Sequence, residues 1–201
     1  TVVMATLVVG PFYLSRALAL DATHVGLVMS SGPIVAALSG VPAGRSVDQF
    51  GAHRLSLVGL IGMAVGASIL PTLPTSLGTL GYICPLVVIT AGYALFQAAN
   101  NTAVMTNIPG DQRGVVSGML NLARNLGLIT GASLMGAVFA LGSATTHTMT
   151  ASPEAVAAGM RITFAAAAAL IVVAIAIAHM GRALSRRDAP QSEKQARSPS
   201  A

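Results

Sequence analysis

Gly44-Arg45-Ser46-Val47-Asp48-Gln49-Phe50-Gly51-Ala52-His53-Arg54 is a short polar stretch set between two long apolar runs. Its charges have to lie outside hydrocarbon, so the flanking runs read as two membrane spans joined at the surface. Gly44 and Gly51 allow backbone angles that a side chain forbids, which predicts a tight connection between the two helices. Asp48 is an acceptor able to cap a helix N-terminus. Arg54 can pair with a carboxylate or hold a lipid phosphate.

The rest of the chain agrees with that start. It has 201 residues, 54% hydrophobic and 8% charged, with a mean hydropathy of +0.75. A soluble domain is about a quarter charged, so too little polar surface exists here to cover a water-facing globule. The expected fold class is all-α, a multi-pass membrane helical bundle. The net charge is +5, but the positives fall in loops and a tail without interleaved aromatics, which argues against a nucleic-acid partner. The single cysteine, Cys84, lies in an apolar run and reads as a small hydrophobe. The opening run is apolar at once, so it is not expected to be a signal peptide. The run Thr1 to Leu14 is shorter than the roughly 20 residues of a full span, so this first helix is expected to be truncated and to begin upstream.

Six apolar segments follow one another: Thr1 to about Leu14, Thr23 to Ala43, Arg54 to Leu70, Leu77 to Met105, Gly114 to Leu141 and Met160 to His179. Breaks are expected between Arg16 and Asp21, over the opening stretch, at Pro71-Thr72-Leu73-Pro74-Thr75, at Ile108 to Arg113, and from Ser143 to Gly159. Residues 1–180 then form a six-helix transmembrane unit, and residues 181–201 a disordered basic tail. With helices alternating in direction, Arg45, Arg54, Arg113, Arg182, Arg186, Arg187, Lys194 and Arg197 share one side, and only Arg16 and Arg161 lie on the other. The positive-inside rule makes the rich side cytoplasmic, and with it the C-terminus.

The pattern Gly44-x-x-x-Asp48-x-x-Gly51-x-x-Arg54 between two spans resembles the signature loop of the major facilitator superfamily of transporters. Gly92 to Gly118, GYALFQAANNTAVMTNIPGDQRGVVSG, followed by Met119-Leu120-Asn121-Leu122-Ala123-Arg124-Asn125-Leu126-Gly127, looks like the penultimate helix pair of the fourteen-helix drug:proton antiporter branch. The resemblance spans about Thr1 to His179. It implies the C-terminal six-helix half of a transporter working by alternating access, and residue usage rich in Ala, Gly and Arg with little Lys adds the expectation of a bacterial inner membrane. The expected cargo is a drug or small amphiphile exported against protons. It also implies that the loop stabilises one conformation through an Asp–Arg relay, with the partner of Asp48 in an N-terminal half outside this chain.

Polar residues within the spans are the remaining candidates. Tyr93, Gln97, Asn100 and Asn101 recur at helical spacing on one face, and Ser117, Asn121, Arg124 and Asn125 repeat the pattern on the next helix. Arg124 lies ten residues past Gly114, about 15 Å along a helix. A charge at that depth should face protein or a water-filled path. Both sets are expected to line the transport path, with interhelical packing as the plainer alternative. Glycines on the third and fifth helices, including Gly62-x-x-x-Gly66 and Gly127-x-x-x-Gly131, fit close helix packing, and Pro33 and Pro85 predict kinks.

The carboxylates Asp21, Asp48, Asp111, Glu154, Asp188 and Glu193 all fall outside the middle of a span, so a buried proton-coupling carboxylate would belong to the other half. His24 and His179 sit near helix ends and His147 in a loop, with no cluster around them. An enzyme would need a nucleophile with a base, paired carboxylates or a metal cluster. His53 beside Asp48 is the nearest approach to one, with Asp111 the other nearby acid. The expectation is a transporter and not an enzyme, without a cofactor or metal. Besides the missing half, its partners are the lipid bilayer, a small-molecule substrate and protons. A transporter-like sensor or scaffold is the further alternative.

Overall fold

A computed structural model describes residues 2–73, 77–106, 108–143 and 152–196. Pro74, Thr75 and His147 lie outside the described residues. The chain is all-helical among those residues, as the apolar runs predict. Helix α1 is Val2–Phe12, followed by a π-turn at Tyr13–Ala17. Then come α2 (Ala22–Phe50), α3 (Ala52–Ile69) with a 3₁₀ turn at Leu70–Thr72, α4 (Gly78–Met105), α5 (Arg113–Gly142) and α6 (Pro153–Ala196). The five helices from α2 onward are long and apolar enough to cross a membrane.

Several boundaries have a local cause. The π-turn appears where the Leu18 N–H reaches back to the Tyr13 carbonyl at 3.2 Å. Asp21 starts α2 with its backbone carbonyl, which accepts the Val25 N–H at 3.0 Å. Its exposed carboxylate engages Nδ1 of His24, and that hydrogen bond holds the Asp21 carboxyl below the usual range. Helix α6 begins seven residues before the predicted Met160. The Ala155 N–H donates to the Ser152 side chain at 3.2 Å, Pro153 fills the first turn, and Glu154 adds a negative charge to the helix start. The backbone of α6 stays helical past the predicted end at His179 and across the predicted tail as far as Ala196.

The polar stretch that opened the sequence needs a correction. It is not a loop. Gly44 to Phe50 continue α2, and the Ser46 hydroxyl donates to the Pro42 carbonyl at 2.8 Å within the helix. Polarity marked where the chain leaves hydrocarbon, but polar residues at a membrane surface are fully compatible with helix. Helix α2 therefore has 29 residues, about 44 Å at 1.5 Å per residue, against a hydrocarbon core of roughly 30 Å.

The helices are packed unevenly. Helix α4 lies between α3 and α2, α3 also meets α6, and α5 rests on α6 and α1. Buried side chains gather toward one end: Leu14 from α1 and its π-turn, Leu70 after α3, Tyr82 and Ile89 early in α4, Phe139 late in α5, and Phe164 in α6. Phe12 stacks on Phe139 with ring centres 5.8 Å apart, and Tyr13 on Tyr82 at 6.1 Å. Toward the end that carries Gly51 and Arg113, cover is thin. Residues from Arg113 to Ile129 have no fully buried side chain among them.

The tightest contact joins α3 to α4. A Cβ added at Gly92 would lie 2.8 Å from the Gly59 carbonyl oxygen and 2.9 Å from the Met63 nitrogen. One added at Gly59 would lie 2.6 Å from the Phe96 nitrogen. The two backbones touch directly, which is how helices associate where burial from water gives no drive. The predicted small-residue seam on α3 is therefore present, but its critical members are Gly59 and Gly66 rather than the Gly62–Gly66 pair. A Cβ at Gly62 would meet Gly92 Cα at an ordinary 3.7 Å. On α5, Gly127 has open space around it, so the predicted Gly127–Gly131 seam is not formed at its first member. Helix α2 continues through Pro33 and α4 through Pro85.

Candidate functional site

Gly51 alone separates α2 from α3. Its φ of 86° and ψ of 138° lie where only glycine is comfortable. Its N–H closes α2 on the Val47 carbonyl at 2.9 Å, and its carbonyl accepts the Leu55 N–H at 3.3 Å to open α3. One residue thus ends one span and begins the next. Gly44 is helical with open space around it, so the backbone freedom expected of it is not used.

Asp48 also departs from expectation. It sits in the last turn of α2 and does not cap α3, whose N-cap residue is Gly51 and whose start has no side-chain cap. At a helix C-terminus the carbonyl dipoles disfavour an anion. Asp48 and Arg54 are both exposed, and no ion pair joins them among the described residues. Gly51→Ala is expected to cost about 1–3 kcal/mol, because alanine has no relaxed conformation at that φ and ψ. Thermal unfolding of the full-length protein in detergent measures it. A loss within about 0.5 kcal/mol would show that the junction relaxes freely.

The four polar residues of α4 sit half-buried. Tyr93 lines a cavity of about 210 Å³ between α1, α2 and α4, together with Thr6, Met29, Pro33, Leu86 and Thr90. Sequence periodicity missed Thr6 and Thr90, because a lone threonine in an apolar helix gives no signal of its own. One end of this region is tied shut. Tyr82, 1% exposed, donates its hydroxyl to the Thr6 carbonyl at 3.2 Å and lies 3.7 Å from the Met29 sulfur. Gly10 makes room for that phenol, since a Cβ there would overlap the hydroxyl.

Asn121, Arg124 and Asn125 are exposed on the uncovered part of α5. Helices α4 and α5 only graze each other. The structure therefore does not bring the α4 set and the α5 set together, although both lie toward the same end of the bundle. The fourth connection is ordered locally: Arg113 Nε donates to the Ile108 carbonyl at 3.2 Å, and the Gln112 N–H to the Pro109 carbonyl at 3.1 Å. Among the described residues, no three histidine, cysteine or acidic side chains cluster as a metal site would require.

These features are a one-residue helix junction with an exposed carboxylate, a small, mainly apolar cavity bordered by Tyr93, and a span with an uncovered cation. Comparisons with known proteins agree with what they suggest. The sequence matches the family model described as Major Facilitator Superfamily over residues 1–201. It is similar to an uncharacterized transporter, YebQ, of Escherichia coli, with 35% identity over 132 residues, 66% of this chain and 29% of that protein. It is also similar to the riboflavin transporter RibZ of Clostridioides difficile, with 27% identity over 137 residues, 65% of this chain and 28% of that protein. The chain spans under a third of the length of these curated relatives. No solved structure matches it.

Proposed function

The chain belongs to the major facilitator superfamily, and from that premise we propose that it forms the C-terminal six-helix half of a secondary active transporter. Residues 1–180 make the membrane unit and 181–201 its cytoplasmic tail. An N-terminal half completes the protein in a bacterial inner membrane. The assembled carrier exports drugs or small amphiphilic compounds in exchange for protons. The family and the relatives point to transport, not to enzymic chemistry.

The observation that carries this reading is the uneven cover. Helix α2 leaves large apolar side chains such as Leu38 and Val41 exposed, and α5 leaves Leu122 and Leu126 exposed beside its own polar Asn121, Arg124 and Asn125. A lipid-facing span has no use for Arg124 at that depth. A surface that meets a second half and a water-filled path does. Asp48, an exposed carboxylate at a helix C-terminus, is likewise suited to a cation brought by that second half, which is the relay the signature pattern implies.

The test uses the full-length protein in vesicles with an imposed proton gradient, ethidium as probe cargo, and riboflavin as a second. Arg124→Ala is expected to slow gradient-driven flux on the order of tenfold, with Arg124→Lys closer to wild type. Normal flux in Arg124→Ala removes Arg124 from the path, and flux indifferent to the gradient removes proton coupling. Threading is tested separately, with a cysteine at position 48 in a protein whose Cys84 is replaced. Labelling only from outside intact cells overturns the orientation.

A further inference from the structure

A second cavity, of about 290 Å³, opens at the opposite end of the bundle from Gly51. Its walls include Tyr13 on the π-turn, Leu70 and Pro71 after α3, and Met160 and Arg161 on α6. Two features of it have no structural use among the described residues. Tyr13 is 8% exposed, and its ring stacks on Tyr82, yet its hydroxyl has no hydrogen-bond partner among those residues. A buried phenol normally finds one. Arg161 borders the same space, close enough for its charge to act on the Tyr13 phenol. Among the described residues at this end, Arg161 and Arg16, the latter on the same π-turn as Tyr13, are the arginines, and there is no lysine.

We propose that this cavity seats the phosphodiester headgroup of a membrane glycerophospholipid. Arg161 would supply the planar pair of donors that suits phosphate oxygens, and Tyr13 a third donor from the cavity wall. The apolar walls from Leu70, Pro71 and Met160 suit the glycerol and the start of an acyl chain. The cavity lies at the level where headgroups sit if the chain is threaded as proposed above. The nearest acid on the same face of α6, Glu154, is two turns closer to the helix start, too far along the axis to neutralise Arg161.

The experiment is thermal stabilisation of the full-length protein in a neutral detergent, so its result does not depend on which way the chain is threaded. Dioleoyl phosphatidylglycerol, dioleoylglycerol and inorganic phosphate are titrated in turn. Phosphatidylglycerol is expected to raise the unfolding midpoint saturably, and the other two to leave it unchanged. Arg161→Gln is expected to weaken the apparent affinity about tenfold, and Tyr13→Phe about threefold while keeping the ring stack. A rise reproduced by dioleoylglycerol overturns the phosphate contact. A rise reproduced by inorganic phosphate overturns the lipid. Unchanged titrations in both variants overturn the site, and Tyr13→Phe alone decides if Arg161→Gln fails to fold.

Discussion

Gly92→Ala is expected to cost about 3 kcal/mol and to strip most folded protein from the membrane fraction. The added methyl would meet backbone on both sides, the Gly59 carbonyl oxygen at 2.8 Å and the Met63 nitrogen at 2.9 Å. Backbone cannot rotate out of the way as a side chain can, so α3 and α4 must separate along their contact. Every close approach nearby then loosens, including Gly66 against Pro85 and Ile89. Gly62→Ala is the matched control. It adds the same methyl one turn from Gly59, where the nearest atom would be 3.7 Å away, and should stay within about 0.5 kcal/mol of wild type. Thermal unfolding of the two full-length variants in detergent decides the matter. Equal losses would mean that this contact is not where the helices are held.

Gly10→Ala is expected to cost about 2–3 kcal/mol by a different route, and a second substitution should reverse most of the loss. The new methyl overlaps the Tyr82 hydroxyl, and Tyr82 is too buried to swing aside. Tyr82→Phe alone gives up the hydrogen bond to the Thr6 carbonyl, about 1 kcal/mol. In the double variant the overlap with oxygen is gone, leaving the Met29 sulfur at 3.0 Å and the ring carbon at 3.2 Å from the methyl, tight but bearable because the methionine chain can turn. The two changes together should therefore be milder than their sum by about 1 kcal/mol or more. Strict additivity, read from the same unfolding measurements, would show that Gly10 and Tyr82 do not share a space.

The fold class was legible because hydrocarbon imposes so strong a condition. Long apolar runs broken by charge leave few structures other than spanning helices, and five of the six runs became helices long enough to cross. Boundaries were less legible where polarity stood in for a break. Arg45, Ser46, Asp48 and Gln49 are polar and helical at once, so only Gly51, the one residue of that stretch at a positive φ, marks the join. Ser152-Pro153-Glu154 carried a helix-start signal in the sequence that apolar counting passed over. Tyr93 was placed on a face that does border a cavity. The pairing of its helix with α5 was not legible, because spacing along a helix says which residues share a face and nothing about which helix that face meets. Thr6, Thr90, Tyr13 and Arg161 come from four places in the sequence, and only packing assembles them into two cavities.

The gathering of buried side chains at one end has a mechanical side. Helix α5, buried at Met135 and Phe139 and uncovered from Arg113 to Ile129, is a rod held at one end. A rotation of about 5° at the pinned end sweeps the free end of a rod about 44 Å long through about 4 Å, enough to admit or expel a small molecule. The free end carries Arg113. Joined by a single residue, α2 and α3 have no slack between them, so a swing of one drags the other as a crank drags its arm. A push delivered at the surface near Asp48 is thereby geared to the Gly59–Gly92 crossing deep in the bundle.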